Sequence, residues 1–221
     1  MLIKELSLAL KPGDALLITG ESGCGKSSLL RAIAGLWHRG SGVIHRPSLD
    51  QFFFLPQRPY LQSGTLRSQL VYPSAHAGLS DAQLLDILRQ VHLPRLAERV
   101  GGLDAVHDWE KLLSVGEQQR LGFARVLVHK PTIVVLDEAT SALDAGNEAS
   151  LYARLRDSGA TLVSIAYRAA VLRHHTHVLC LKGEGAWELH EAAGFRFDGQ
   201  HEQPGGRVPD ARRERQEAAA G

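Results

Sequence analysis

The chain has 221 residues, 44% of them hydrophobic and 22% charged, enough to bury the core of one domain or of one domain carrying a small inserted unit. Lys and Arg number 25 against 24 Asp and Glu, so no net field argues for a nucleic-acid partner or an anionic membrane surface. No apolar run approaches the roughly 18 residues of a spanning helix and the N-terminus lacks a signal-peptide layout, so in a membrane role another polypeptide, or another part of this one, does the spanning.

Ala15–Thr19 reads as the first buried strand, short, apolar and bounded by turn residues. A glycine-rich turn follows and leads into a helical run at Ser28–Leu36. Phe52–Leu55 is the next strand. From Gln57 to Gly116 the pattern changes: Ser80–Val91 opens on Ser-Asp and spaces Leu84, Leu85, Ile87, Leu88 and Val91 as a helix does. With no convincing strand in this stretch, residues 65–128 are expected to form an inserted α-helical sub-domain. Ile133–Leu136, Thr161–Ile165 and Val178–Leu181 complete the strands. Their apolarity is continuous rather than alternating, which predicts a sheet covered on both faces. The expected fold is α/β, with a mainly parallel sheet and antiparallel edge strands. His174, His175 and His177 have no second cluster at zinc spacing and read as a solvated helix end rather than a metal site. Residues 184–199 read as a peripheral strand or extension, and 200–221 as a disordered tail almost without large apolar side chains.

Gly20-Glu21-Ser22-Gly23-Cys24-Gly25-Lys26-Ser27 fits G-x-x-x-x-G-K-[ST], set between a strand and a helix. Small residues let successive backbone N–H groups turn inward around phosphate oxygens, and the helix N-terminus adds its partial positive charge. Lys26 is expected to reach the β- and γ-phosphates, and the Ser27 hydroxyl to hold Mg²⁺. The bland alternative is a glycine-rich turn without ligand. Cys24 is either a thiol acidified by the helix end and shielded by ATP or simply a small residue. Cys24 and Cys180 are the two cysteines, too few for a disulfide framework or a Cys-rich zinc site, and they fit a reducing interior. Downstream, Ile133–Glu138 is a buried strand ending in two carboxylates. Asp137 suits a Mg²⁺ partner, and Glu138 suits a general base for an attacking water. Either acid alone also suits a helix N-cap. The loop and the acid pair together read as a nucleoside triphosphatase.

Leu113-Ser114-Val115-Gly116-Glu117-Gln118-Gln119-Arg120 resembles the LSGGQ-type signature of ATP-binding-cassette (ABC) ATPases. Gln57, in Leu55-Pro56-Gln57-Arg58-Pro59, resembles the family's Q-loop, and Ser141-Ala142-Leu143-Asp144 its D-loop. The motif order is also the family's, and the resemblance covers residues 6 to 183. It implies a P-loop NTPase core over 1–183 that uses ATP and Mg²⁺. Gly20 through Ser28 and Gln57 would bind ATP, with Ser27, Gln57 and Asp137 around the metal. Ser114, Val115, Gly116 and Glu117 would meet the ATP of a second cassette, whose phosphate faces the positive end of the signature helix. Two cassettes would then pair head to tail around two nucleotides. The helical insert would dock a transmembrane domain through the Gln57–Val91 surface, at the cytoplasmic face of a membrane. Asp108-Trp109-Glu110, Gly64-Thr65-Leu66-Arg67 and Tyr72-Pro73 resemble an exporter-fold branch. It holds peroxisomal fatty-acyl-CoA transporters and bacterial transporters of vitamin B12 or antimicrobial peptides. Trp109 fits a plain packing role equally well.

Three departures from the family pattern matter. The switch histidine is replaced in Ser164-Ile165-Ala166-Tyr167-Arg168, and Tyr167 cannot carry positive charge near neutral pH. Losing one preorganised donor costs about 10²–10³ in rate, of which a hydroxyl recovers part, so slow hydrolysis is expected. Val115 stands where the first signature glycine belongs, with a modest expected effect. Finally, Met1–Asp14 holds no aromatic residue to stack on adenine, which implies either a missing platform or a fragment of a longer protein. A lost stack would weaken purine binding by about 1–3 kcal/mol. The motor of a membrane transporter is the leading reading; an ATP-gated dimerising module with little hydrolysis is the alternative.

Overall fold

The first apolar run forms β1 (Ala15–Gly20), buried at every position. A computed structural model describes residues 3–37, 39–74 and 78–197; the expected tail at 200–221 lies outside them. The remaining strands are β2 (Phe52–Leu55), β3 (Gly64–Thr65), β4 (Val106–His107), β5 (Ile133–Asp137), β6 (Thr161–Ile165), β7 (His177–Gly183) and β8 (Ala186–Glu191). The helices are α1 (Lys26–Ile33), α2 (Leu66–Val71), α3 (Asp81–Gln90), α4 (Leu96–Val100), α5 (Trp109–Leu112), α6 (Val115–His129) and α7 (Ala145–Asp157). Six strands make one sheet in the order β2-β5-β6-β1-β7-β8, parallel throughout except for the antiparallel β7–β8 pair at one edge.

Period-two alternation sorts the apolar strands into two layers. Leu16, Ile18, Val135, Val163, Ile165, Leu179 and Leu181 pack with Leu30 of α1. Leu17, Val134, Leu136, Leu162 and Val178 pack on the other face with Phe123 of α6 and Tyr152 of α7. Each such side chain, removed from water, contributes about 1.5–3 kcal/mol before the cost of ordering the chain. That double burial is why these strands read as unbroken apolar runs. The parallel register aligns Ile18 with Ile165 and Asp137 with Ile165, so β1, β5 and β6 end at the same level. Loops leaving those ends therefore meet at one rim of the sheet.

The segment between β2 and β5 is held to the core from α6. Gly122 of α6 passes so close to the end of β2 that a Cβ there would lie 2.6 Å from Leu55 Cδ1. Arg125, also in α6, is buried without an acidic partner among the described residues: it donates to Gln69 O at 2.7 Å and Tyr60 O at 2.7 Å. Burial pushes its guanidinium down to about 10, still charged at neutral pH. Three carbonyl-facing N–H groups substitute for the lost hydration, and the Tyr72 ring lies 5.0 Å away.

Three local expectations change. The 65–128 stretch does contain a strand: β4 pairs antiparallel with β3, Thr65 against Val106. Two-residue strands carry no alternation to read, and this pair is fixed from outside, by the Trp109 indole donating to Gly64 O at 2.8 Å. Trp109 is 1% exposed and so does pack. The helix after the glycine-rich turn starts earlier and ends earlier than Ser28–Leu36, leaving Leu36 exposed. The histidines are not a solvated helix end. His175 is buried, its Nε2 2.7 Å from Ser164 Oγ and its Nδ1 2.8 Å from Val171 O, and burial drives its pKa down to about 4. His174 stacks on the buried Tyr152, and His177 opens β7.

Candidate functional site

At the end of β1 the chain turns through Gly20, where a Cβ would fall 2.2 Å from Leu181 O, a position closed to any other residue. Glu21, Ser22 and Gly23 are exposed, Cys24 and Gly25 half-buried, and Gly25 caps α1 in the left-handed region at φ 104°. Lys26 opens the helix and folds back. Its Nζ donates to Gly20 O at 2.8 Å and Glu21 O at 2.6 Å, and lies 3.8 Å from Cys24 Sγ. The ammonium is thus held inside the loop by the loop's own carbonyls, which any incoming phosphate has to displace. Cys24 packs with the α1 layer of the core, which favours the small-residue reading of that position.

Across the rim, Ser27 Oγ donates to Asp137 Oδ1 at 3.1 Å. Asp137 ends β5 half-buried, and its carboxyl is pushed above the usual range, chiefly by desolvation and then by neighbouring Glu138, despite the Ser27 bond. A hydroxyl and a desolvated carboxylate side by side are hard-oxygen donors of the kind that suits Mg²⁺. Glu138 stands next in the chain at φ 53°, uncommon for a residue with a Cβ, and its N–H bonds Ile165 O at 3.2 Å. Neither acid caps a helix. Tyr167, just past β6, donates its hydroxyl to Glu138 Oε1 at 3.0 Å and lays its ring 5.2 Å from Lys26 Nζ. Burial first, and then the Glu138 charge, raise the Tyr167 hydroxyl well above its ordinary pKa, so it stays a donor.

Gln57 follows β2 with an exposed side chain, while its carbonyl accepts from Gln119 Nε2 at 3.0 Å. Ser114 is the N-cap of α6: its Oγ accepts from Glu117 N at 3.3 Å, and the Glu117 carboxylate returns a bond to Ser114 N at 3.0 Å. Burial alone would raise the Glu117 carboxyl, but Arg99 at 2.7 Å and the Ser114 bonds outweigh it and hold it below the usual range. Val115 is 45% exposed. In the Ser141–Asp144 segment, Asp144 caps α7 by accepting from Asn147 N at 2.9 Å. The geometry thus brings Lys26, Ser27, Asp137, Glu138 and Tyr167 into one cluster. The Ser114 and Glu117 side chains at the helix tip bond each other and Arg99 instead of that cluster.

Two side chains absent from the expected site prove central. Gln119 bonds the Gln57 carbonyl, the Ser141 hydroxyl and the Ala142 N–H, and Arg168 donates to Leu143 O at 2.6 Å and Ser141 O at 3.1 Å. Arg168 also reaches the buried Glu148 at 3.4 Å, which accepts from Thr140. One signal for Gln119 was available: it stands four residues before Phe123, on the face α6 turns to the core.

A parallel sheet with a phosphate-type loop after one strand and an acid at the end of another defines a P-loop nucleotide-binding domain. The chain belongs to the ABC transporter family, whose family model matches residues 3–141. It is 53% identical over 189 residues to an uncharacterized ABC transporter ATP-binding protein of Synechocystis, covering 86% of this chain and 29% of that protein. A Haemophilus influenzae protein of the same description is 43% identical over 190 residues, 85% of this chain and 31% of its own length. Human ATP-binding cassette sub-family D member 3 is 40% identical over 194 residues, 86% of this chain and 29% of its own. The chain therefore spans about three-tenths of the length of these relatives. Among the described residues no helix is long and apolar enough to cross a membrane.

Proposed function

We propose that this chain is the ATP-binding and ATP-hydrolysing motor domain of an ABC transporter, acting at the cytoplasmic face of a membrane through a transmembrane partner domain. Two cassettes pair head to tail, each enclosing one of two nucleotides. The loop from Gly20 to Ser28 holds the phosphates; Lys26 leaves the Gly20 and Glu21 carbonyls to reach the β- and γ-phosphates. Ser27, Asp137 and Gln57 would hold Mg²⁺, which when bound neutralises charge on those phosphates. Ser114, Val115, Gly116 and Glu117 complete the partner's site, and Ser141–Asp144 lies alongside. Residues 65–128 act as the inserted helical sub-domain that meets the membrane partner. The observation that carries the reading is the rim cluster itself, with Ser27 on Asp137 and Tyr167 on the carboxylate of the adjacent Glu138.

Glu138 removes a proton from the water that attacks the γ-phosphorus. Tyr167 donates to one of its oxygens, which orients the carboxylate and occupies a lone pair that the proton of the attacking water would otherwise reach. That bond favours slow turnover, and it keeps alive the second reading of a nucleotide-gated dimer that hydrolyses little. Single-turnover cleavage of MgATP separates the two. Glu138→Gln should lower the rate by about 10²–10⁴ if Glu138 is the base. Equal rates in the two proteins would remove the motor reading and leave the gated module.

A further inference from the structure

The buried amide of Gln119 has no part in the roles assigned above, yet three segments converge on it. Gln119 is 0% exposed. Its Nε2 donates to Gln57 O at 3.0 Å and to Ser141 Oγ at 3.2 Å, and its Oε1 accepts from Ala142 N at 3.0 Å. A backbone N–H can only donate and a backbone carbonyl can only accept, so the partners fix which way the amide points. Both of its N–H groups are used, one toward each loop. The Gln57 side chain meanwhile stays exposed. The loop's backbone is therefore anchored to α6 while its side chain is left to respond to whatever enters the rim.

We propose that Gln119 is a positioning residue that transmits the state of the Gln57 loop to the Ser141–Asp144 loop and to the tip of its own helix. The proposal rests on the motor reading given above. Ser114, which caps the same helix, lies five residues away, a rigid span of about 7–8 Å. On its far side the Ser141–Leu143 backbone is gripped by Arg168, through Ser141 O and Leu143 O. That loop is thus clamped between α6 and the segment carrying Tyr167. A shift of Gln57 toward a phosphate pulls its carbonyl against an amide whose other atoms already hold Ser141 and Ala142. The displacement is passed on because the Gln119 amide is itself fully buried and all three of its bonds meet at one rigid planar group.

Gln119→Glu keeps the shape and the acceptor for Ala142 N but removes both donors and turns a carboxylate oxygen toward Gln57 O. In this variant of the full chain, MgATP affinity measured on dilute protomers should stay within about twofold of the unaltered protein, since Gln119 touches no residue of the phosphate loop. Nucleotide-driven dimerisation and kcat should fall about tenfold or more, with KM little changed. On a Gln57→Ala background the same substitution should cost almost nothing further, because the sensing side chain is already gone. Gln119→Met, with matched thermal melts, gives the same test without the added charge. Additive losses with Gln57→Ala, or affinity and kcat falling together, overturn the proposal and leave the motor reading standing. Failure of both variants to fold makes the amide a stability element only and also overturns it. No turnover in the unaltered protein overturns both readings.

Discussion

Around the ends of β1, β5 and β6 the reactive groups already touch: Ser27 on Asp137, Tyr167 on Glu138, and Lys26 on the carbonyls of its own loop. The tip of α6 is built differently. Ser114 and Glu117 bond each other, Arg99 pairs with Glu117, and Val115 faces solvent. The first region is assembled within one chain, because parallel strands in fixed register deliver three loops to one rim. The second satisfies its polar side chains among themselves and with Arg99 of α4. Its free asset is the helix N-terminus, which can serve a phosphate brought from elsewhere. Chemistry is thus prepared in one region and completed, on the proposed reading, by the other region of a second copy.

The largest expected effect lies in the assembled region. Tyr167→His replaces a hydroxyl that holds Glu138 with an imidazole able to donate to a developing phosphate charge. Steady-state phosphate release at saturating MgATP should rise at least about tenfold, toward the 10²–10³ that one preorganised donor supplies. No rise would mean that position 167 does not limit turnover and that the contact with Glu138 is incidental.

Acid should loosen the assembled region before the helix tip. His175 braces β6 through Ser164, and its pKa of about 4 lies below the ordinary 6.5 because burial disfavours the charged ring. The native state therefore binds fewer protons than the unfolded chain between pH 6.5 and about 4. By linkage, stability falls as pH drops through that window and the His175 contribution levels off below it, a loss of roughly 3 kcal/mol in all. Denaturant melts between pH 7 and 4 measure it. His175→Asn should remove most of that slope; an unchanged slope would assign the acid response to other groups.

The assembled region was largely legible in the sequence. Five apolar runs became strands, the glycine-rich loop fell between β1 and α1, and Asp137 stood at a strand end. Local signals suffice where a strand has to be apolar on both faces and where a turn, as at Gly20, leaves no room for a Cβ. The cross-chain bonds were not legible in that way. Gln119, Arg168 and His175 bond Gln57, Ser141 and Ser164 at separations of 62, 27 and 11 positions in the chain, and spacing within one element carries no information about such partners. Polar residues on a core-facing helix side, as Gln119 is on α6, are the one sequence cue to these contacts. The β3–β4 pair was hidden for another reason: two residues per strand are too few to show any period.

Ser114→Ala gives the smallest expected change in the lone protomer and tests the other half of the comparison. The alanine keeps the backbone but loses the side chain that accepts from Glu117 N, so the cap should cost about 1 kcal/mol of stability, read as a small drop in thermal midpoint. MgATP binding to dilute protomers should not change, because the bonds of Ser114 run to Glu117 of its own helix and not to the rim cluster. Nucleotide-driven dimerisation, followed by light scattering with Glu138→Gln to slow cleavage, should weaken clearly more than the cap alone explains. Dimerisation weakened no further than by a cap substitution away from the proposed interface, such as Ser80→Ala on α3, would show that the tip of α6 is only a well-capped helix.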